Sequence, residues 1–191
     1  MKPIIIYGSK SYSSLIKLLI KDCNRECLGV IDDFCTGNNI LGDFNKVRSK
    51  YHSDNVEIAL GIGYSNLSKR KETIHNIEKY FNMATLIHPQ AYVAEGAIIG
   101  EGSVIMAGAH VDYNVNLGKG VVCWPKTVIN HDSIIGDNTF ISPGAIICGF
   151  VSVGESCFIG ANSTIVDHTN IKMESFIKAN SLIVNRENGV L

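Results

Sequence analysis

The sequence predicts a parallel β-helix of triangular cross-section preceded by a small α/β unit, and three observations carry that prediction. The first is a period of six: stepping by six from Ile87 to Ile183 meets only Ile, Val or Leu, except at Cys123. The second is a companion register, in which the residue four places later, from Ala91 to Ser181, is always Ala, Ser, Thr, Val or Cys. The third is a change of pattern before Ile87, where short apolar runs typical of buried strands alternate with helical spacing.

A six-residue period fits neither an α-helix nor an alternating strand, so it describes a larger unit that recurs in space. Each hexad supplies one short strand and one corner of a prism. The aliphatic residue points inward, the small residue fits the turn, and three hexads close a coil of about eighteen residues. Residues eighteen apart therefore stack. The repeat is unbroken, which predicts that no long loop leaves the prism.

In the N-terminal part, KPIIIYG (Lys2 to Gly8) reads as a buried strand entering a turn. It is followed by a helix from Ser11 to Asp22 with Leu15, Ile16, Leu18, Leu19 and Ile20 as its apolar positions. ECLGVIDDF (Glu26 to Phe34) is a second strand ending in two acids, and Val56 to Gly61 a third. The third strand runs through GIGYSNLSKRK into a helix from about Asn66 to Phe81. The order β-α-β then β-α describes a Rossmann-like nucleotide-fold half. The predicted domains are residues 1–84 and 85–191.

The first turn, GSKSYS from Gly8, lacks the later glycines of a dinucleotide fingerprint, which argues against NAD. The helix start there can bind an anion through free N–H groups, with Ser9, Lys10 and Ser11 as extra donors; Lys10 equally suits a solvated loop. Asp32 and Asp33 end the second strand, where acids accept hydrogen bonds from ribose or base, or cap the following turn.

The chain has 191 residues, 46% of them hydrophobic, enough for two folded cores. Seventeen basic against eighteen acidic residues give a net charge of −1, which excludes a global electrostatic footprint for nucleic acid or anionic membrane. Six cysteines form no CxxC pair, the N-terminal MKPIIIYG lacks the pattern of a secretory leader, and no apolar run is long enough to span a membrane. The expectation is a cytoplasmic protein with reduced thiols and no membrane insertion.

Of six histidines, His52 and His75 read as surface residues and His88, beside Pro89, as structural. His110, His131 and His168 neither share one stack nor show a ligand spacing, so no metal is expected. His131 differs from the rest. It sits in Asn130-His131-Asp132 at a corner, where side chains point away from the prism, and Asp132 can hold one ring nitrogen and raise the basicity of the other. Gly149 stands one coil later at the same corner, with its N–H accessible.

The hexad pattern resembles that of the left-handed β-helix, or hexapeptide-repeat, acyltransferases. IIIYG, VIDDF, the third strand with its Gly-rich end, LIHPQAYVAEGAIIG and INHDSIIGD narrow the likeness to sugar acetyltransferases. Within these it is similar to the sialic-acid O-acetyltransferase and bacillosamine-pathway N-acetyltransferase group. The resemblance implies a homotrimer with active sites between neighbouring prisms and acetyl-CoA as co-substrate. It implies His131 as general base with Asp132 as its partner, Gly149 as oxyanion donor, and a CoA groove beside Gly144, Ala145, Gly160 and Ala161. The nucleotide-sugar acceptor would be held by Gly8, Ser9, Lys10, Asp32, Asp33 and the Gly61 to Gly63 loop. The acceptor implied is a nucleotide-linked 4-amino-4,6-dideoxy sugar, with UDP preferred, in surface-glycan synthesis. Alternatives are O-acetylation of a sialic acid or related sugar, and a non-catalytic nucleotide-sugar-binding trimer. Three departures stand out: GSKSYS replaces a glycine-rich turn, Phe140 occupies a position where the family carries histidine, and SLIVNRENGVL lacks the usual GxPAK-like ending.

Overall fold

The computed structural model describes residues 1–184, and its chain divides into two compact units at His88/Pro89. The C-terminal ending noted above therefore lies largely outside the described residues.

The N-terminal unit is built on a four-stranded parallel sheet. Its strands are β1 (Ile4–Tyr7), β2 (Cys27–Ile31), β3 (Ile40–Gly42) and β4 (Glu57–Leu60), in the spatial order β3-β2-β1-β4. Its main helices are α1 (Ser11–Asp22), α2 (Phe44–Lys50) and α3 (Leu67–Glu78). All four residues of β1 are buried, as a central strand covered on both faces requires. In α1 the buried face is Tyr12, Ser13, Ile16, Leu19 and Ile20, an i, i+4, i+7, i+8 stripe; Leu15 and Leu18 are exposed. Asp43 and Asn66 start α2 and α3 by accepting from Lys46 N (2.7 Å) and Lys69 N (2.8 Å). The sequence pattern predicts only three strands here; β3 and α2 are additional, because a three-residue strand and a helix burying only Phe44 and Val47 carry too little periodicity to register.

From Tyr92 the chain is a parallel β-solenoid of about five turns, made of two-residue strands in three columns. One column stacks Ile98–Ile99, Asn116–Leu117, Ile134–Ile135, Ser152–Val153 and Asn170–Ile171. Another stacks Val104–Ile105, Val122–Cys123, Phe140–Ile141, Phe158–Ile159 and Phe176–Ile177. The third runs from Tyr92–Val93 through His110–Val111, Val128–Ile129, Ile146–Ile147 and Thr164–Ile165 to Leu182–Ile183. Every pairing is parallel and joins residues eighteen apart, as Ile134 to Ser152. The second residue of each strand points inward, and together these residues form one continuous core.

The corners correct one detail of the expected hexad. The turn is made by the residue three places after the inward aliphatic, which adopts left-handed backbone at every sixth position from Gly96 to Asn180, with φ between 54° and 88°. The small residue that follows is not in the turn; it points into the narrow angle of the prism, and from Ser103 to Thr169 each one is buried. Buried hydroxyls there bridge successive coils: Ser133 Oγ donates to Cys148 O (2.8 Å) and accepts from Val151 N (3.2 Å), and Thr139 Oγ1 likewise joins Gly154 O (3.0 Å) and Cys157 N (3.2 Å). Ser133 and Thr139 are thus satisfied, though buried, by the backbone of the next coil. Left-handed backbone costs a non-glycine residue about 1–2 kcal/mol, which explains why glycine and asparagine fill most of these turns.

Coil spacing sets a second demand. A methyl group on Gly136 would lie 2.5 Å from Glu155 N and 2.6 Å from Gly154 C, both backbone atoms of the next coil that cannot yield. Gly136→Ala should therefore destabilise the solenoid by about 2 kcal/mol or more. The check is equilibrium denaturation; unchanged stability would mean that the coils slide apart at no cost.

Candidate active site

Two residue columns run up the corner that follows the Val128–Ile129 strand. By the eighteen-residue register, Tyr113, His131, Gly149 and Asp167 stack in one, and Asn114, Asp132, Phe150 and His168 in the other, the left-handed turn position. His131 is exposed, at 49% for its side chain, so its ring serves no core.

The His131 ring is held on three sides. Its Nδ1 lies 2.9 Å from Asp132 Oδ2. The carboxylate can only accept, so Nδ1–H donates, and in the neutral imidazole the lone pair is then on Nε2. Asp132 Oδ1 accepts from Asn114 Nδ2 at 2.6 Å. This amide, followed by His131, holds the Asp132 pKa below the usual aspartate range. Beneath the ring lies Gly149: a methyl there would sit 2.9 Å from His131 Cε1 and 3.1 Å from Nε2, so only glycine lets the imidazole lie across the next coil. On the remaining side the Phe150 ring meets His131 edge to face, with centroids 5.2 Å apart and planes at 87°.

Among the described residues the Gly149 N–H meets no acceptor, whereas the same group of Tyr113, two coils earlier, is taken by Asp112 Oδ1 at 2.7 Å. The structure thus brings together three predicted residues, His131, Asp132 and Gly149. They offer a proton acceptor at Nε2 beside an unused N–H, the two elements an acyl transfer needs.

The residues expected to line a CoA groove divide. Ala145 is fully buried in the prism core, and Gly160 is buried where a methyl would lie 2.4 Å from Ala179 N. Both are required by the packing of the coils, and their side-chain positions line no groove. Gly144 and Ala161 reach the surface, but at the corner after the Phe140–Ile141 and Phe158–Ile159 strands, a different corner from that of His131. Phe140 is 1% exposed and packs with Trp124 and Phe158, with ring centroids 5.8 and 6.0 Å away, so it completes a covered aromatic stack.

In the N-terminal unit, Gly8, Ser9, Lys10, Asp32, Asp33, Gly61 and Gly63 all gather at the carboxyl ends of the strands. Gly8 and Gly61 face one another across β1 and β4, where a methyl on Gly61 would lie 2.7 Å from Ile6 and 2.9 Å from Gly8 O. Of the two acids, Asp32 is the one that caps the turn. Its oxygens accept from Phe34 N and Cys35 N (both 2.9 Å), Ser9 N (3.2 Å) and the Ser9 hydroxyl, which fills a carboxylate's roughly four acceptor sites. Partial burial alone would raise its pKa, but these hydrogen bonds, led by Ser9, lower it. Asp32 and Ser9 therefore satisfy each other, and a ribose would have to displace one of them. Among the described residues Asp33 accepts only from Phe44 N (2.9 Å) and the Tyr7 hydroxyl and retains free acceptor sites; burial, then Asp33, pushes the Tyr7 pKa up. Lys10 is exposed, with Nζ 3.8 Å from Cys35 Sγ.

Around these places Asn114, Phe150 and Arg70 have no part in the site expected from the sequence, and His168 enters there only as a histidine without a ligand spacing. Asn114, Phe150 and His168 stand eighteen residues from Asp132 or from each other, so the period itself was the signal. Arg70 gave no such signal. It is fully buried, donates from Nε to Ile62 O (3.1 Å) inside the Gly61 to Gly63 loop, and is drawn down to a pKa of about 10 by burial, with Tyr12 opposing. None of the six cysteines is paired in a disulfide; burial pushes the Cys123 thiol up to about 12. Among the described residues no three metal-ligating side chains converge, and no helix is long and apolar enough to cross a membrane.

No protein-family model matches the chain, and no curated protein matches it. Solved structures do. The acetyltransferase domain of PglB from Neisseria gonorrhoeae FA1090 superposes with a TM-score of 0.89 at 25% identity, over 96% of this chain and 92% of that one. The chain has the fold of that acetyltransferase domain. PerB from Caulobacter crescentus, solved with CoA and GDP-perosamine, gives a TM-score of 0.85 at 21% identity over 97% and 90%. WeeI from Acinetobacter baumannii AYE gives 0.72 at 18% over 97% of each chain. The resemblance to hexapeptide-repeat sugar acetyltransferases drawn from the sequence is borne out by these neighbours.

Because the Asp132 pKa is depressed in the folded chain, its hydrogen bonds contribute fully above the ordinary aspartate value and are lost as pH falls through the lowered one. Asn114→Ala should move the Asp132 titration midpoint up toward 3.8, as followed by carboxyl NMR. An unmoved midpoint would remove Asn114 from the site.

Proposed function

We propose that this protein is an acetyl-CoA-dependent N-acetyltransferase whose acceptor is a nucleotide-linked amino sugar. The observation that carries the reading is the His131–Asp132 pair lying across Gly149 at an exposed corner. The amine nitrogen attacks the thioester carbonyl carbon. Nε2 of His131 takes the proton that the amine loses, while the Gly149 N–H donates to the carbonyl oxygen as it becomes an oxyanion. Collapse of the tetrahedral intermediate breaks the C–S bond, and the proton passes from Nε2 to the departing CoA thiolate. Asp132, steadied by Asn114, keeps the ring in the tautomer that begins this cycle.

The N-terminal unit holds the nucleotide sugar. Its strand order, which reverses between β1 and β4, supports a Rossmann-like fold with the ligand outside Gly8 and Gly61 at that switch point, and Asp33 is its free acceptor there. The working unit is a homotrimer of left-handed prisms. Gly144 and Ala161 share a groove with His131 only when a second prism presents them, and Ile98, Tyr113 and Ile134 leave apolar surface beside the His131 corner, 62%, 63% and 53% exposed, for a neighbour to cover. The acceptor is a 4-amino-4,6-dideoxy sugar destined for surface glycan, made and acetylated in the cytoplasm. Among the neighbours PerB was solved with GDP-perosamine, and the PglB domain was also solved with acetyl coenzyme A. A UDP-linked sugar is our first choice of acceptor and a GDP-linked one the second.

The test is thiol release from acetyl-CoA with UDP-, GDP- and dTDP-linked 4-amino-4,6-dideoxy sugars. Turnover should require one of them, and His131→Ala should lower kcat about 100-fold or more without changing the melting temperature. Full turnover by that variant would eliminate His131 as the base; binding of a nucleotide sugar with no thiol release from any acceptor would favour a non-catalytic trimer.

A further inference from the structure

Fifteen successive corners of the solenoid, from Gly96 to Asn180, adopt left-handed backbone, and fourteen are filled by glycine or by polar or charged residues. The exception is Phe150, at φ 57°. A bulky apolar side chain is out of place at this backbone. Burial within its own chain does not compensate for it, because Phe150 is 50% exposed there. Neither conformational preference nor core packing accounts for a phenylalanine here. Its surroundings do. One ring contact is with His131, at 5.2 Å and 87°, and the other is a parallel stack on His168, at 4.9 Å and 6°.

We infer that Phe150 is a positioning residue for the reaction proposed above: it closes the open side of the His131 ring and holds Nε2 aimed at the acceptor amine. Among the described residues the imidazole is fixed elsewhere only by one hydrogen bond at Nδ1 and by the Gly149 backbone it lies across. A hydrogen bond at Nδ1 leaves the ring free to swing about that anchor, and the Phe150 ring fills the space into which it would swing. His168, one coil further on, backs the phenyl ring by stacking and fixes its rotamer in turn. The base is therefore framed by parts from three coils. Strain at the turn is retained because geometry at the base requires it.

The inference rests on the acetyltransferase reading, and two variants separate its failure from the failure of that reading. Phe150→Asn and Phe150→Gly replace the phenyl ring with residues suited to left-handed backbone. Each should raise the melting temperature, or leave it unchanged, while kcat falls about tenfold with the KM for acetyl-CoA kept within twofold. Phe150→Tyr, which retains the ring, should recover most of that loss. His168→Ala should lower kcat in the same sense by less. If wild type turns over, His131→Ala is dead and both ring-deleted variants keep full kcat, the positioning role is wrong and the enzyme reading stands. If wild type transfers no acetyl group to any acceptor, the reading beneath the inference fails. A fall in melting temperature alongside kcat in both ring-deleted variants would mark Phe150 as structural and overturn the inference.

Discussion

The rest of the solenoid depends on one contact, the seating of each residue on the residue eighteen places before it. That contact pairs the two-residue strands, lines up the inward aliphatics into one core, and lets Ser133 and Thr139 hand their hydroxyls to the backbone of the next coil. No strand is long enough to be stable alone. The sheet columns exist because coils repeat at a fixed rise, and the rise is small enough that a methyl on Gly136 would strike backbone. Stability and spacing are thus one requirement, met by aliphatic side chains inside and by glycine where two coils come closest.

The same seating builds the site. His131 and Gly149 are distant in sequence by one coil, and they touch because no residue intervenes between their corners. Asn114 reaches Asp132 from the coil before, and Gly149 and Phe150 meet His131 from the coil after, so the imidazole is supported along the axis of the prism rather than from a surrounding pocket. Asp132 is solvent-accessible, and its lowered pKa comes from hydrogen bonds, with the Asn114 amide first. The N-terminal unit works by different means. There, facing glycines at the ends of β1 and β4 clear the space, Asp32 ties the first turn to the second strand, and buried Arg70 secures the Gly61 to Gly63 loop from within.

What could be read in the sequence followed the period. The columns of the solenoid, the inward aliphatics and the corner position of His131 were all legible, because a six-residue register over nearly a hundred residues has only one spatial solution. Taken to its eighteen-residue form, that register names Asn114 and Phe150 as neighbours of the His131–Asp132 pair; and it makes Ala145 an inward residue of a corner, unable to line a groove. The N-terminal unit was less legible for a physical reason. β3 is three residues long, α2 buries two side chains, and Arg70 is an arginine in a core, so none presents an apolar pattern. Which of Asp32 and Asp33 closes the turn depended on the backbone path from Phe34 to Cys35, which composition does not encode.

The eighteen-residue seating also governs which changes of chain length the protein tolerates. Removing one hexad between His131 and Gly149 keeps the remaining inward residues inward yet rotates all that follows by a third of a turn, carrying Gly149 to a corner where His131 is not. Adding or removing a whole coil beyond His168 leaves the framed His131 ring untouched and alters only the length of the prism. Insertions and deletions between His131 and Gly149 are therefore sorted by their remainder on division by eighteen, a rule of arithmetic that follows from the seating of one coil on the next.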